Sequence, residues 1–184
     1  VQRAKARFSA AWFWGGVLTL LGLAALIGGI DHGFFEATGL PRYFIQRSNW
    51  IVLAAMTFFV LMTTAAQFFP HKYLPLFWAL GLLQFVVDSI LVLLIDNFLV
   101  VILNYAPVML LLLVMNFICL SKGTGSWTMI IGILIIFAAS AIQAMGIDTF
   151  SPVDRNGLYH LISMVGVVVL YLGGMRLKTK VSHG

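Results

Sequence analysis

Residues 97–120 decide the fold class, and they read NFLVVILNYAPVMLLLLVMNFICL. From Leu110 to Val114 every side chain is apolar, so no side of a helix here is suited to water. A membrane-spanning strand would instead alternate polar and apolar residues over about 10 positions. The segment also has the length, roughly 20 residues, that a helix needs to cross a bilayer core of about 30 Å. It therefore predicts a lipid-embedded α-helix.

The composition of the whole chain extends this prediction to the rest of the protein. Of its 184 residues, 61% are hydrophobic and 9% are charged, and the mean hydropathy is +1.03. Soluble globular chains have about 45–50% apolar and about 25% charged residues, so the class of water-soluble globular proteins is excluded. The single cysteine, Cys119, lies in an apolar run and has no partner for an intramolecular disulfide.

Six stretches have the length and apolarity of a membrane span: residues 8–30, 49–69, 74–95, 97–120, 127–147 and 157–177. We predict an all-α integral membrane protein in which residues 1–184 form one compact bundle of six transmembrane helices. A seventh helix is expected if sequence upstream of Val1 belongs to the full protein. Only the connection of residues 31–48 is long enough for a short interfacial helix.

The positive charges predict how the spans are oriented. With the N-terminus inside, the inner segments carry most of the 11 Lys and Arg residues, and the outer segments carry only Arg42, Arg47 and Arg155. The positive-inside rule then places both termini in the cytoplasm, and we predict a bacterial inner membrane. The net charge of +5 is assigned to contact with lipid headgroups rather than with nucleic acid.

Polar residues inside the spans mark the candidate site. Only Asp88, of the six acidic residues, lies inside a span, where an acid costs about 2.5–3.5 kcal/mol on insertion scales. Because its helix and the next form a hairpin, Asn104 lies at the same depth, and we predict that the two side chains pair. His32, His160 and Gln143 bring further polar groups into the same outer half of the bundle.

Two imidazoles and a carboxylate on separate helices form a ligand set that zinc accepts, with water in the fourth position. His32, His160 and Asp88 are therefore the candidate metal ligands, and Asp88 is also the candidate general base. Zinc lowers the pKa of its bound water, which makes hydroxide available for attack on an ester or amide. The set predicts a zinc-dependent intramembrane hydrolase whose lipid substrate enters from the bilayer.

Two motifs carry a family resemblance, GGIDHGF at residues 28–34 and NGLYHLI at residues 156–162. They resemble the membrane hydrolase superfamily of the alkaline ceramidases and the adiponectin and progestin receptor-like proteins. The resemblance implies a seven-helix bundle with an internal zinc site and a role in lipid metabolism. Asn156 stands where these proteins have the first residue of a His-x-x-x-His pair, and Gly28 where they commonly have a serine. Asp88 is then the candidate third ligand.

Three other functions stay open at this point. The protein could be a non-catalytic small membrane subunit or lipid-binding protein, with an interhelical polar network and no metal. It could be a b-type cytochrome with His32 and His160 as axial haem ligands, or a proton-coupled transporter built on Asp88. Bound zinc separates the hydrolase from the subunit. The residues expected to contact substrate or to complete the network are Asn104, Gln143, Asn156 and Tyr159.

Overall fold

The computed structural model describes residues 8–36, 38–146 and 155–177, and for residues 143, 144, 155 and 156 it describes the backbone alone. Those residues form six α-helices and no strand, which confirms the all-α class. The helices are α1 (Ala10–Ile30), α2 (Tyr43–Phe68), α3 (Leu74–Leu94), α4 (Leu99–Ile118), α5 (Trp127–Ala144) and α6 (Arg155–Gly174).

Five helical segments are long and apolar enough to cross a membrane: Ala10–Glu36, Tyr43–Phe68, His71–Leu94, Leu99–Ile118 and Gly157–Gly174. The corresponding segment of α5, Trp127–Ile142, is shorter. The membrane-protein class is therefore supported by length and composition, and the count of six spans stays a prediction.

The first connection is more helical than the sequence predicted. α1 continues past Ile30 into a π-helical turn, Asp31–Glu36, and α2 begins at Tyr43 rather than near residue 49. Hydropathy locates the long apolar part of a helix, whereas the hydrogen-bonded backbone of α2 also includes residues 43–48, where the polar run from Gln46 to Ser48 interrupts the apolar sequence. The extension places Arg47 within the first turns of α2 instead of in a loop.

The described helices divide into two compact units, one ending at Leu112 and the other running from Leu113 to Leu177. The single domain predicted for residues 1–184 stays a prediction. In the first unit, α2 packs against both α1 and α3. Phe13, Phe58 and Met62 form the buried centre of this packing. Gly16 contributes to it because a Cβ atom there would overlap the ring of Phe59.

In the second unit, α5 and α6 approach each other closely through glycines. A Cβ atom at Gly132 would lie 2.8 Å from Leu170 Cγ, and one at Gly173 would lie 2.7 Å from Met129 Sδ. Distances this short are not tolerated between real side chains, so the glycines set the spacing of the two helices. Gly132 and Gly173 therefore both lie at the contact between α5 and α6.

Candidate functional site

Asp88 lies on α3 and is buried, with 4% of its surface exposed. Asn104 approaches it from α4, and its Nδ2 donates a hydrogen bond to Asp88 Oδ2 at 2.9 Å. This confirms the predicted pair. The geometry follows from the hairpin, because residues at equal distances from the connection between α3 and α4 face each other.

Gln84 is a third member of this arrangement and was not predicted from the sequence. Its Nε2 donates to Asn104 Oδ1 at 2.7 Å and approaches the backbone carbonyl of Ala54 on α2 at 3.5 Å. Gln84, Asn104 and Asp88, hereafter the Asp88 network, therefore link α2, α3 and α4. The signal was present in the sequence, since Gln84 precedes Asp88 by four residues and so lies on the same side of α3.

The electrostatics of the Asp88 network are unusual for a buried acid. Among the described residues, no Lys, Arg or His lies within ion-pair distance of Asp88. Gln84 Oε1 and Ser89 Oγ are also buried without a hydrogen-bond partner in the described part of the chain. The carboxyl group is thus held by an amide donor and has no counter-charge within ion-pair distance in the described ranges.

His32 belongs to a different group of side chains, in the π-helical turn after α1. Arg42 donates from Nε and Nη2 to the two carboxylate oxygens of Asp31, each at 2.8 Å, and from Nη1 to Glu36 Oε1, also at 2.8 Å. The other oxygen of Glu36 bonds His32 Nδ1. The hydrogen bond to Asp31 is the largest effect that raises the pKa of Arg42 above its usual value, so the guanidinium stays charged.

The remaining predicted residues lie near the start of α6 and the end of α5. The rings of Tyr159 and His160 meet edge to face, with their centroids 5.0 Å apart. The backbone of Asn156 lies one turn before His160, and α5 includes Gln143, but the side chains of Asn156 and Gln143 fall outside the described residues. His32 and Asp88 belong to the first unit and His160 to the second.

Within the described ranges, no group of three or more His, Cys, Asp or Glu side chains is placed to hold an ion. Asp88 Oδ2 instead accepts from Asn104, and His32 Nδ1 bonds Glu36. His32 and Asp88 thus each have a hydrogen-bond partner already, and the assignment of His32, His160 and Asp88 to zinc stays a prediction.

These features define a class of protein: a chain whose described residues form membrane-length apolar helices, three of which are joined by a partly buried polar link. The chain belongs to a family of unknown function, DUF6962, whose model matches residues 1–179. No curated protein and no solved structure gives a significant match to the chain. The resemblance to the ceramidase superfamily stays a prediction.

Proposed function

We propose that this protein is a small non-catalytic membrane subunit and that the Asp88 network is a structural link between its helices. The observation that carries the proposal is the hydrogen bond from Asn104 to Asp88, together with the bond that Asn104 accepts from Gln84. The amide of Asn104 uses both its donor and its acceptor inside the protein. Asp88 therefore accepts a hydrogen bond that joins α3 to α4.

The physical setting supports a structural role. Lipid tails are as apolar as leucine, so helices in a bilayer gain little from burying apolar side chains against each other. Polar side chains that bond across helices supply part of the missing association energy. The Asp88 network does this between α3 and α4 and brings Gln84 toward a carbonyl of α2.

One observation favours a second candidate, the zinc-dependent hydrolase of a lipid amide or ester. Asp88 has no basic partner within ion-pair distance among the described residues, and acids buried in membranes without such a partner commonly mark functional sites. In this candidate, Asp88 serves as ligand or base and His32 and His160 serve as ligands, as the sequence predicted.

Elemental analysis separates the two candidates. The protein is purified in detergent without chelators and supplied with zinc, and the wild type is compared with the double variant His32→Ala/His160→Ala. His71→Ala is the matched control, because His71 lies in the exposed turn before α3. We expect no stoichiometric zinc in any sample. About one zinc per chain in the wild type and in His71→Ala, but none in the double variant, would overturn the subunit proposal.

Asp88→Asn gives a second, independent readout. An asparagine carbonyl still accepts the hydrogen bond from Asn104, so we expect the stability of the folded bundle to be retained. Turnover of a ceramide or phospholipid by the wild type that Asp88→Asn abolishes would instead assign chemistry to the carboxylate. The unfolding transition of the same samples shows whether the variant is folded.

A further inference from the structure

Arg47 is a buried cation outside the Asp88 network. It lies one turn into α2, and only 5% of its side chain is exposed. Its Nη2 contacts Asp96 Oδ1 at 2.8 Å, at the connection between α3 and α4. The Asp96 side chain is itself 80% exposed, so this ion pair has one buried and one solvated partner.

Two aromatic rings cover the guanidinium of Arg47. Its Cζ atom lies 4.3 Å from the centre of the Trp50 ring and 5.2 Å from that of Tyr43. The ring faces attract the positive charge, but they are poor acceptors for N–H groups that lie in the guanidinium plane. The aromatic contacts therefore stabilise the positive charge of Arg47 but do not provide acceptors for its N–H groups.

Nε and Nη1 of Arg47 are both buried, and neither has a hydrogen-bond partner within the described residues. Arg42, a few residues earlier, has all three nitrogens on carboxylate oxygens. A buried donor without an acceptor is costly, and the cost is higher for a charged group. Arg47 therefore has two buried donors without an acceptor in the described part of the chain, although Asp96 already pairs with its Nη2, whereas every guanidinium nitrogen of Arg42 has an acceptor.

We propose that Arg47 binds the phosphate group of a membrane lipid. Phosphate offers several oxygen acceptors, and the planar guanidinium matches it as a donor. The surface beside Arg47 suits the zone where lipid headgroups meet acyl chains, since it exposes Tyr43, Phe44 and Leu94. Basic pockets between membrane helices are known to bind lipid headgroups.

Access to Arg47 is controlled by Tyr43 and Asp96. Tyr43 is half exposed, and its hydroxyl donates one hydrogen bond, 3.2 Å, to the Leu93 carbonyl. Because Nε and Nη1 are buried and the Tyr43 ring lies over the guanidinium, a phosphate group reaches these donors only if the ring moves aside. The Asp96 carboxylate is the anion that a phosphate group must compete with. The site shares no residue with the Asp88 network, so the inference does not depend on the proposed function.

Native mass spectrometry of the full chain in detergent tests the proposal. The protein is titrated with dioleoyl phosphatidylglycerol, and with dioleoylglycerol, which has the same chains and no phosphate. The variants are Asp96→Asn, which removes the competing carboxylate at an exposed position, and Arg47→Lys, which keeps the charge but not the planar fork. Arg176→Lys is the matched control, because Arg176 is an exposed arginine that bonds the Thr128 hydroxyl.

We expect Asp96→Asn to bind phosphatidylglycerol about tenfold more tightly than the wild type, and Arg47→Lys about tenfold more weakly. Arg176→Lys should match the wild type, and dioleoylglycerol should bind weakly to all of them. Competition by millimolar inorganic phosphate would assign the same site to free phosphate as well, whereas its absence would assign the site to the lipid. Equal binding of both lipids, or no change in Asp96→Asn, would overturn the proposal.

Discussion

A double-mutant cycle on Asp88 and Asn104 measures the contribution of the polar link directly. The cycle compares Asp88→Leu, Asn104→Leu and the double variant with the wild type. Leucine is close in size to both side chains and cannot form either hydrogen bond. The coupling energy isolates the 2.9 Å contact from the other effects of each change.

The structure sets the expected magnitude. Hydrogen bonds between membrane helices average about 0.6 kcal/mol and reach about 1.7 kcal/mol. A bond to a charged group contributes about 1.5–3 kcal/mol in soluble proteins. For the buried Asp88 we therefore expect a coupling of about 1–2 kcal/mol. Asn104→Leu alone should lower the free energy of unfolding by about 2–3 kcal/mol, because it also removes the acceptor of Gln84.

The assay is reversible unfolding in detergent by dodecyl sulfate, followed by far-ultraviolet circular dichroism. A control cycle pairs Asn104→Leu with Thr63→Val, since the Thr63 hydroxyl bonds a carbonyl of its own helix. That pair should be additive within about 0.5 kcal/mol. If the Asp88–Asn104 coupling were equally small, the structural role of the Asp88 network would be refuted.

Three further predictions concern the stability of each unit, measured by the same unfolding assay. Arg42→Gln leaves the buried Asp31 carboxylate without its cation and should lower the free energy of unfolding by about 2 kcal/mol, less than for a fully buried pair because Arg42 is partly exposed. Gly132→Leu should cost about 3 kcal/mol by forcing α5 and α6 apart, whereas Gly15→Ala, with open space around it, should change stability by less than about 1 kcal/mol. Ser126→Ala should cost about 1 kcal/mol, since this hydroxyl accepts a hydrogen bond from a backbone N–H in the first turn of α5.

The helices were predictable because each one contains a long run of apolar residues. Long apolar runs such as Leu110–Val114 have one stable backbone form in lipid, and the described residues are helical at each predicted span. The start of α2 was not predictable in this way. Hydropathy falls before residue 49, but the helix begins at Tyr43 and its first turns carry Arg47, which pairs with Asp96 on a distant part of the chain.

Only the part of the candidate site that follows from the hairpin geometry was predictable. Equal distance from the connection between α3 and α4 identified the contact between Asp88 and Asn104. Gln84 was missed because only the high cost of an acid inside a span was used to identify site residues. An uncharged glutamine is tolerated in a membrane helix more readily than an acid. The pairing of His32 with Glu36 was also missed, since it depends on the π-helical turn, which no residue pattern predicted.

The two buried acids of the first unit, Asp31 and Asp88, differ in the groups that surround their carboxyl groups. Asp31 faces Arg42 through two hydrogen bonds of 2.8 Å, so its burial is compatible only with a carboxylate. Asp88 accepts from an amide group, and an amide N–H can donate to an ionised carboxylate or to the carbonyl oxygen of a protonated carboxyl group. Replacing Asp31 by Asn should therefore weaken the fold, whereas Asp88→Asn should not. An Asp88→Asn variant that folds but loses a measurable activity would mean that the charge at this position serves chemistry and not packing.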